Sequence, residues 1–144
     1  MARGNKYPEL ASFDAIPDAA IVADRDGSIV HANVCAERLF GYEQGKLVGL
    51  RLEAILPERF RKRHTGFVGQ FFAEPVARPM GSGRELHALR GDDGEFPVEI
   101  AIGPILGGDL AIAVIRDITE IVRTRDELAN TLKEVEQLKE LTRP

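Results

Sequence analysis

Residues Asp92 to Glu120 read DDGEFPVEIAIGPILGGDLAIAVIRDITE, a strand, a turn, a second strand and the start of a helix in one continuous run. Phe96, Val98, Ile100 and Ile102 alternate with Glu95, Pro97, Glu99 and Ala101, the period-two pattern of a strand with one buried face. Gly107-Gly108-Asp109 interrupts it with turn residues, since glycine accepts positive φ. Leu110 to Ile115 is apolar on both faces, which predicts a central strand pairing with the first strand of the chain. Asp117-Ile118-Thr119-Glu120 predicts a helix start, Asp117 capping it and Glu120 reaching back to the cap. A sheet strand therefore feeds directly into a helix, so strain in one reaches the other.

Upstream, Tyr7 to Phe13 predicts one or two helical turns packed on the domain, after a polar start. Ala19 to Asp24 reads as a strand, Asp24-Arg25-Asp26-Gly27 as a tight turn, and Ser28 to Ala32 as a second strand. Asn33 is placed to cap a helix over Val34 to Phe40 that Gly41 ends. Single turns follow at Glu43 to Val48 and Arg51 to Ile55. Pro57 opens a longer helix in which Phe60, His64, Phe67, Val68 and Phe71 form an apolar stripe, up to Ala73. Met80 to Arg90 predicts a third strand. Downstream, helix is expected from Ile118 to about Leu141. Ile121, Leu128 and Val135 recur every seven residues, Ile118 and Leu132 complete a seam, and Leu138 lies slightly rotated from it. Arg125 and Lys139 interrupt that seam, predicting a short, weak, parallel coiled coil joining a homodimer.

The chain has 144 residues, enough for one domain with a real core plus an extension. A net charge of −4 excludes nucleic acid as a bulk electrostatic partner. The apolar runs are too short to span a bilayer. One cysteine, Cys35, excludes an internal disulfide and a cysteine-based zinc site, and its setting, Asn-Val-Cys-Ala-Glu, reads as a small packed hydrophobe. The class expected is a cytoplasmic α+β domain without a membrane partner.

Three segments, FDAIPDAAIVADRDGSIVHAN, AERLFGY followed by Gly49, and GDDGEFPVEI with AVIRDITE, resemble a PAS domain over roughly Leu10 to Glu120. The resemblance implies a five-stranded antiparallel sheet, in the order 2-1-5-4-3, cupping a small cavity against helices. It divides the chain into an N-terminal segment (1–9), a PAS domain (10–117) and a signalling helix (118–144). It also implies a sensory and dimerising role, with output through a histidine kinase, a diguanylate cyclase or a transcription regulator. No phosphoacceptor-histidine box, P-loop or helix-turn-helix follows Glu120, and no nucleophile stands with its base. The module is therefore expected to be non-catalytic.

The cavity is expected between the Pro57–Ala73 helix and the inner sheet face, lined by Phe60, His64, Phe67, Val68, Val98, Ile100 and Ile102. Its ligand is not named by these residues. PERFRKRH resembles the helix that carries the haem-binding histidine in rhizobial oxygen-sensor kinases. That resemblance implies a haem alternative in which His64 holds the iron and Arg84 stands near bound oxygen. Pro79-Met80 departs from the branched aliphatic pair of those sensors. The other reading of His64 is a hydrogen-bonded residue of the core or the pocket rim. His31, His64 and His87 sit on separate elements, so no metal site other than haem iron is expected.

Overall fold

The computed structural model describes residues 7–80 and 85–142. Its strands are β1 (Ala19–Asp24), β2 (Ile29–Ala32), β3 (Arg78–Pro79), β4 (Leu86–Leu89), β5 (Glu95–Ile105) and β6 (Leu110–Asp117). Its α-helices are α1 (Val34–Phe40), α2 (Glu58–Ala73) and α3 (Thr119–Thr142). All pairings are antiparallel, in the order β2-β1-β6-β5, and β5 then pairs with both β3 and β4 on its far edge. The order is the expected one with a correction at the third strand. Of the expected strand Met80–Arg90, residues 81–84 lie outside the described residues; β4 forms within its second half, and β3 lies ahead of it, pairing Arg78 with Ile102 and Pro79 with Ala101. Pro79 lacks the N–H that a longer ladder needs, and an edge strand tolerates that.

β6 is central, as its two-sided apolar character predicts. It pairs with β1 from Ala19↔Ile115 to Asp24↔Leu110, and with β5 from Val98↔Asp117 to Ile105↔Leu110. Gly107 (φ 68°) and Gly108 (φ 90°) make the connecting turn. In the Gly91–Gly94 turn the left-handed residue is Asp93 (φ 67°), while the Asp92 carboxylate accepts a hydrogen bond from the Gly94 N–H at 2.9 Å.

The inner face packs Ile21, Ile29, Val98, Phe96 and Ile115 against Ala36 and Phe40 of α1, together with Leu47 and Ile55. The Phe40 and Phe96 rings meet at 5.9 Å between centroids. On the outer face, the 3-10 helix Pro8–Ala15 places Leu10 against Val22 and Leu110, with Phe13, Val30 and Ile112 around them. The expected N-terminal turns therefore form and dock.

Asn33 joins the two layers. It is fully buried, and its Oδ1 accepts hydrogen bonds from the N–H of Ala36 (2.9 Å) and of Ala20 (3.0 Å). Its Nδ2 donates to the carbonyls of Asp18 (2.9 Å) and Phe13 (3.1 Å), with that of Ile16 at 3.4 Å. The helix cap read from sequence is thus also a tie between α1, β1 and the N-terminal segment. Gly41 (φ 73°) ends α1 as expected.

Candidate functional site

α2 is tied to the sheet near both of its ends. Near its start, the Arg59 guanidinium makes two hydrogen bonds of 2.6 Å to the Glu95 carboxylate at the head of β5. Near its end, the Phe72 ring lies under Arg25 of the β1–β2 turn. The backbone element nearest to it over any length is the 3-10 turn Leu52–Ile55. Phe71 is the buried residue of α2, whereas Phe60, His64 and Val68 are half-buried. Facing them, Val98 is buried, and Ile100 and Ile102 stay half-exposed. The stripe needs one correction: Phe67 is 53% exposed and stands outside the enclosed region. At 3.6 residues per turn Phe67 shares a face with Phe60, Phe71 and His64, so its exposure reflects what lies opposite α2 and not its place on the helix.

His64 keeps 15% of its side chain exposed. Its Nδ1 lies 4.0 Å from Glu53 Oε1 and has no hydrogen-bond partner among the described residues. The same Glu53 oxygen accepts a hydrogen bond from the Thr65 hydroxyl at 3.2 Å. Burial lowers the His64 pKa below its ordinary value, and the Glu53 charge offsets that only in part. The folded protein therefore holds His64 more neutral than an unfolded chain does. A histidine with a lowered pKa contributes stability that is complete above the unfolded value of 6.5 and is lost as pH falls through the folded value. Wild type is expected to lose urea resistance between about pH 7.5 and pH 5.5, and His64→Leu to lose less of it. Equal losses in both proteins would place the acid sensitivity elsewhere.

Arg84 lies outside the described residues, so its place beside the site is not part of this description. Cys35 is half-buried rather than fully packed, and its thiol faces the Pro17 carbonyl at 3.4 Å. Among the described residues no group of His, Cys, Asp or Glu could hold a metal ion. On the outer sheet face, a hollow of about 140 Å³ is lined by Asp18, Pro79, Glu99, Ala101, Val114 and Arg116; it shares Ile100 with the expected pocket.

The second part of the site is the junction of β6 with α3. Asp117 Oδ1 accepts hydrogen bonds from the Thr119 N–H (2.9 Å) and the Thr119 hydroxyl (2.5 Å). Asp117 Oδ2 pairs with Arg90 at 3.2 Å. Arg90 also donates to the Leu39 carbonyl of α1 (2.5 Å) and lies 4.0 Å over the Phe96 ring. The Ile118 N–H donates to the Pro97 carbonyl of β5. Asp117 caps α3 as expected, but Glu120 does not reach back; it pairs with Arg123 at 3.2 Å. Thr119 supplies both donors to Asp117 instead. Arg90 and Glu53 carry no periodic signal in the sequence, because their partners come from distant segments.

Burial pushes the Asp117 carboxyl up, but Thr119 and Arg90 together hold it below its ordinary value. A lowered carboxylate contributes stability that is complete above the unfolded value of 3.8 and is lost as pH falls through the folded value. The Thr119 amide resonance is expected to move upfield as pH drops below 3.8, and to show no such step in Asp117→Asn. A step that survives the substitution would assign the titration to another group.

α3 is 24 residues long, about 36 Å at 1.5 Å per residue, and buries none of them in the single chain. Ile121, Leu128, Leu132, Val135 and Leu138 are between 43% and 61% exposed, while Ile118 at the junction is half-buried. Among the described residues, no helix is long and apolar enough to cross a membrane.

An antiparallel sheet with flanking helices and a last strand that runs into an exit helix is the architecture of a small sensory module. The model of the family described as PAS domain matches residues 17–120, and the chain belongs to that family. It is 30% identical over 129 residues to the sensor protein FixL of Bradyrhizobium diazoefficiens, covering 88% of this chain and 26% of that protein. It is 28% identical over 125 residues to the cell-division control histidine kinase PdhS of Brucella ovis, covering 87% and 12%. Among solved structures, the PAS domain of a Colwellia psychrerythraea protein superposes with a TM-score of 0.65 at 24% identity, covering 78% of this chain and 95% of that one. The chain thus spans about a quarter or less of these curated relatives. One of them is a sensor protein and the other a histidine kinase, which fits a PAS domain as a sensory module of signal transduction.

Proposed function

We propose that the chain is a sensory and dimerisation module that couples the state of a pocket behind α2 to an output domain through α3. The observation that carries this reading is the unbroken passage of β6 into α3, locked by Asp117, Thr119 and Arg90, with the apolar stripe of α3 uncovered. An isolated helix of this length is marginal in water unless it buries such a stripe. Ile118, Ile121, Leu128, Leu132, Val135 and Leu138 of two parallel copies bury each other, so both subunits pass their signal in one direction. The pocket set is Phe60, His64, Val68, Val98, Ile100 and Ile102, with Phe67 at its rim. The module does no catalysis of its own and works in the cytoplasm. A histidine kinase, diguanylate cyclase or transcription regulator receives its signal. The segment 1–9, the domain 10–117 and the helix 118–144 act as its three parts.

The coupling is tested by NMR during a screen of small apolar compounds. Binding is expected to shift the signals of His64, Ile100 and Ile102 and, with them, the Thr119 amide. Shifts that stay confined to the pocket would sink the coupling.

The second reading is haem binding, favoured by the half-buried, neutral-leaning His64. Iron takes a neutral imidazole, and a ligating histidine commonly directs its other nitrogen at a carboxylate or carbonyl. With Nδ1 turned to Glu53, Nε2 is the nitrogen for iron. Haem, when bound, would supply the site for a diatomic gas. Protein incubated with haemin is expected to show a Soret band that His64→Ala abolishes. A spectrum without that band leaves the apolar-ligand reading alone.

A further inference from the structure

Along the β4 edge of the sheet, five charged or titratable side chains follow one another from α2 to α3. Arg59 of α2 holds Glu95 of β5 through two hydrogen bonds of 2.6 Å. The Glu95 oxygen that accepts from Arg59 Nη2, Oε2, also lies 3.0 Å from Nδ1 of His87 on β4. His87 Nε2 lies 3.5 Å from Oε2 of Glu85. Glu85 Oε1 in turn lies 3.5 Å from Nη2 of Arg125, two turns into α3. Every distance is within ion-pair range, and the charges alternate if His87 is protonated. We propose that this row is an ionic strap that ties α2 to α3 around the β4 edge, with His87 as its proton-dependent link.

The chemistry of the link follows from donor supply. Each ring nitrogen of His87 has a carboxylate oxygen within ion-pair distance, while the buried Nδ1 makes no hydrogen bond among the described residues. Neutral imidazole has one N–H and presents a lone pair to the other carboxylate; the imidazolium donates from both nitrogens. The neutral form therefore leaves one joint open. The groups facing His87 are Glu85 on its own segment and Glu95 on β5, backed by Arg59 of α2 and Arg125 of α3. Asp126 also reaches Arg125, at 3.6 Å, and competes with Glu85 for it. Arg59 and Glu95 form the tightest joint: their hydrogen bond raises the Arg59 pKa and lowers that of Glu95. The Arg125 joint is the loosest, since that side chain is 63% exposed. A displacement of α2 would thus pull on β5 first and reach α3 through the weakest pair, which gives α3 a second restraint besides Asp117.

The inference rests on the sensory reading for its purpose, but its test needs neither a ligand nor an output domain. The full chain carries a nitroxide at Asn130→Cys, on the exposed side of α3, with Cys35→Ser to remove the native thiol. Electron paramagnetic resonance at low salt reads the mobile fraction of the label. Arg125→Glu is expected to raise that fraction about two- to fivefold, in keeping with an exposed pair. Adding Glu85→Arg restores it, because the swapped pair rebuilds the joint. Arg59→Ala raises it by a smaller factor. In wild type the fraction is expected to be larger at high pH, where the imidazole has one N–H, than at low pH, where it has two, and in His87→Gln that step is absent. An unmoved fraction in Arg125→Glu, a pH step that survives His87→Gln, or an Arg59→Ala protein identical to wild type overturns the strap. A chain that binds no small molecule but shows all four results would keep the strap and lose the pocket.

Discussion

Ending the chain after Glu120 is expected to convert a dimer into a monomer, read as a halving of the mass in light scattering at low micromolar concentration. The truncation removes Ile121, Leu128, Leu132, Val135 and Leu138, all largely exposed in the single chain. It leaves Asp117, Thr119 and Arg90 in place, so the domain itself should keep its fold. A point version separates the helix from its stripe. Leu128→Asp with Leu132→Asp keeps α3 in place and removes two leucines from each copy. Burying a leucine is worth about 1.5–3 kcal/mol, so the pair is expected to weaken association by about 100-fold or more. Arg125 and Lys139 near the seam keep the wild-type coil weak, and a weak coil is one whose register or rotation a small push can change. A truncated protein that remains fully dimeric would move the interface to the outer sheet face or the N-terminal segment. It would also remove the coiled coil from the signalling reading.

Asn33→Ala should have the largest effect on stability of any single polar substitution in the domain. The side chain is fully buried, accepts from two backbone amides and faces three backbone carbonyls. Two amide hydrogens serve three carbonyls, so the 3.4 Å contact to Ile16 is a shared one. Removing the side chain takes away a helix cap worth about 1 kcal/mol. It also strands buried backbone groups at about 1–3 kcal/mol each, with partial relief from an entering water. A loss of about 3–5 kcal/mol in urea unfolding is expected. Asn33→Asp is the informative companion. It keeps an acceptor for the cap but turns a charged oxygen towards the carbonyls of Asp18 and Phe13, so at neutral pH it should lose no less. A loss below about 1 kcal/mol in Asn33→Ala would mean that water replaces the whole network.

The period-two run Phe96 to Ile102, the two-sided apolar run Leu110 to Ile115 and the glycines between them are local patterns. They carry the hairpin, the central place of β6 and its passage into α3 without help from the rest of the chain. The Asn33 cap and the Gly41 stop are local in the same way, since the groups they serve lie within four residues. The heptad positions of α3 also report an uncovered stripe directly, because no other element among the described residues buries them. By contrast, the places of β3 and β4 along one edge of β5 depend on where each short segment meets it, Arg78 and Pro79 opposite Ile102 and Ala101, Leu86 to Leu89 opposite Val98 to Glu95. Phe67 lies on the apolar stripe of α2 and is nevertheless exposed, because a stripe drawn on an isolated helix does not say which of its residues a neighbouring element covers.

The polar contacts are further still from local pattern. Arg90 reaches Leu39 and Asp117, and His87 stands between Glu85 and Glu95 beside Arg59 and Arg125. A hydrogen bond or ion pair acts over about 3 Å, whereas its partners here are up to 51 residues apart in the chain. Periodicity in a sequence records which side of an element is apolar. Which charged side chains then meet is set by how those elements come together in space.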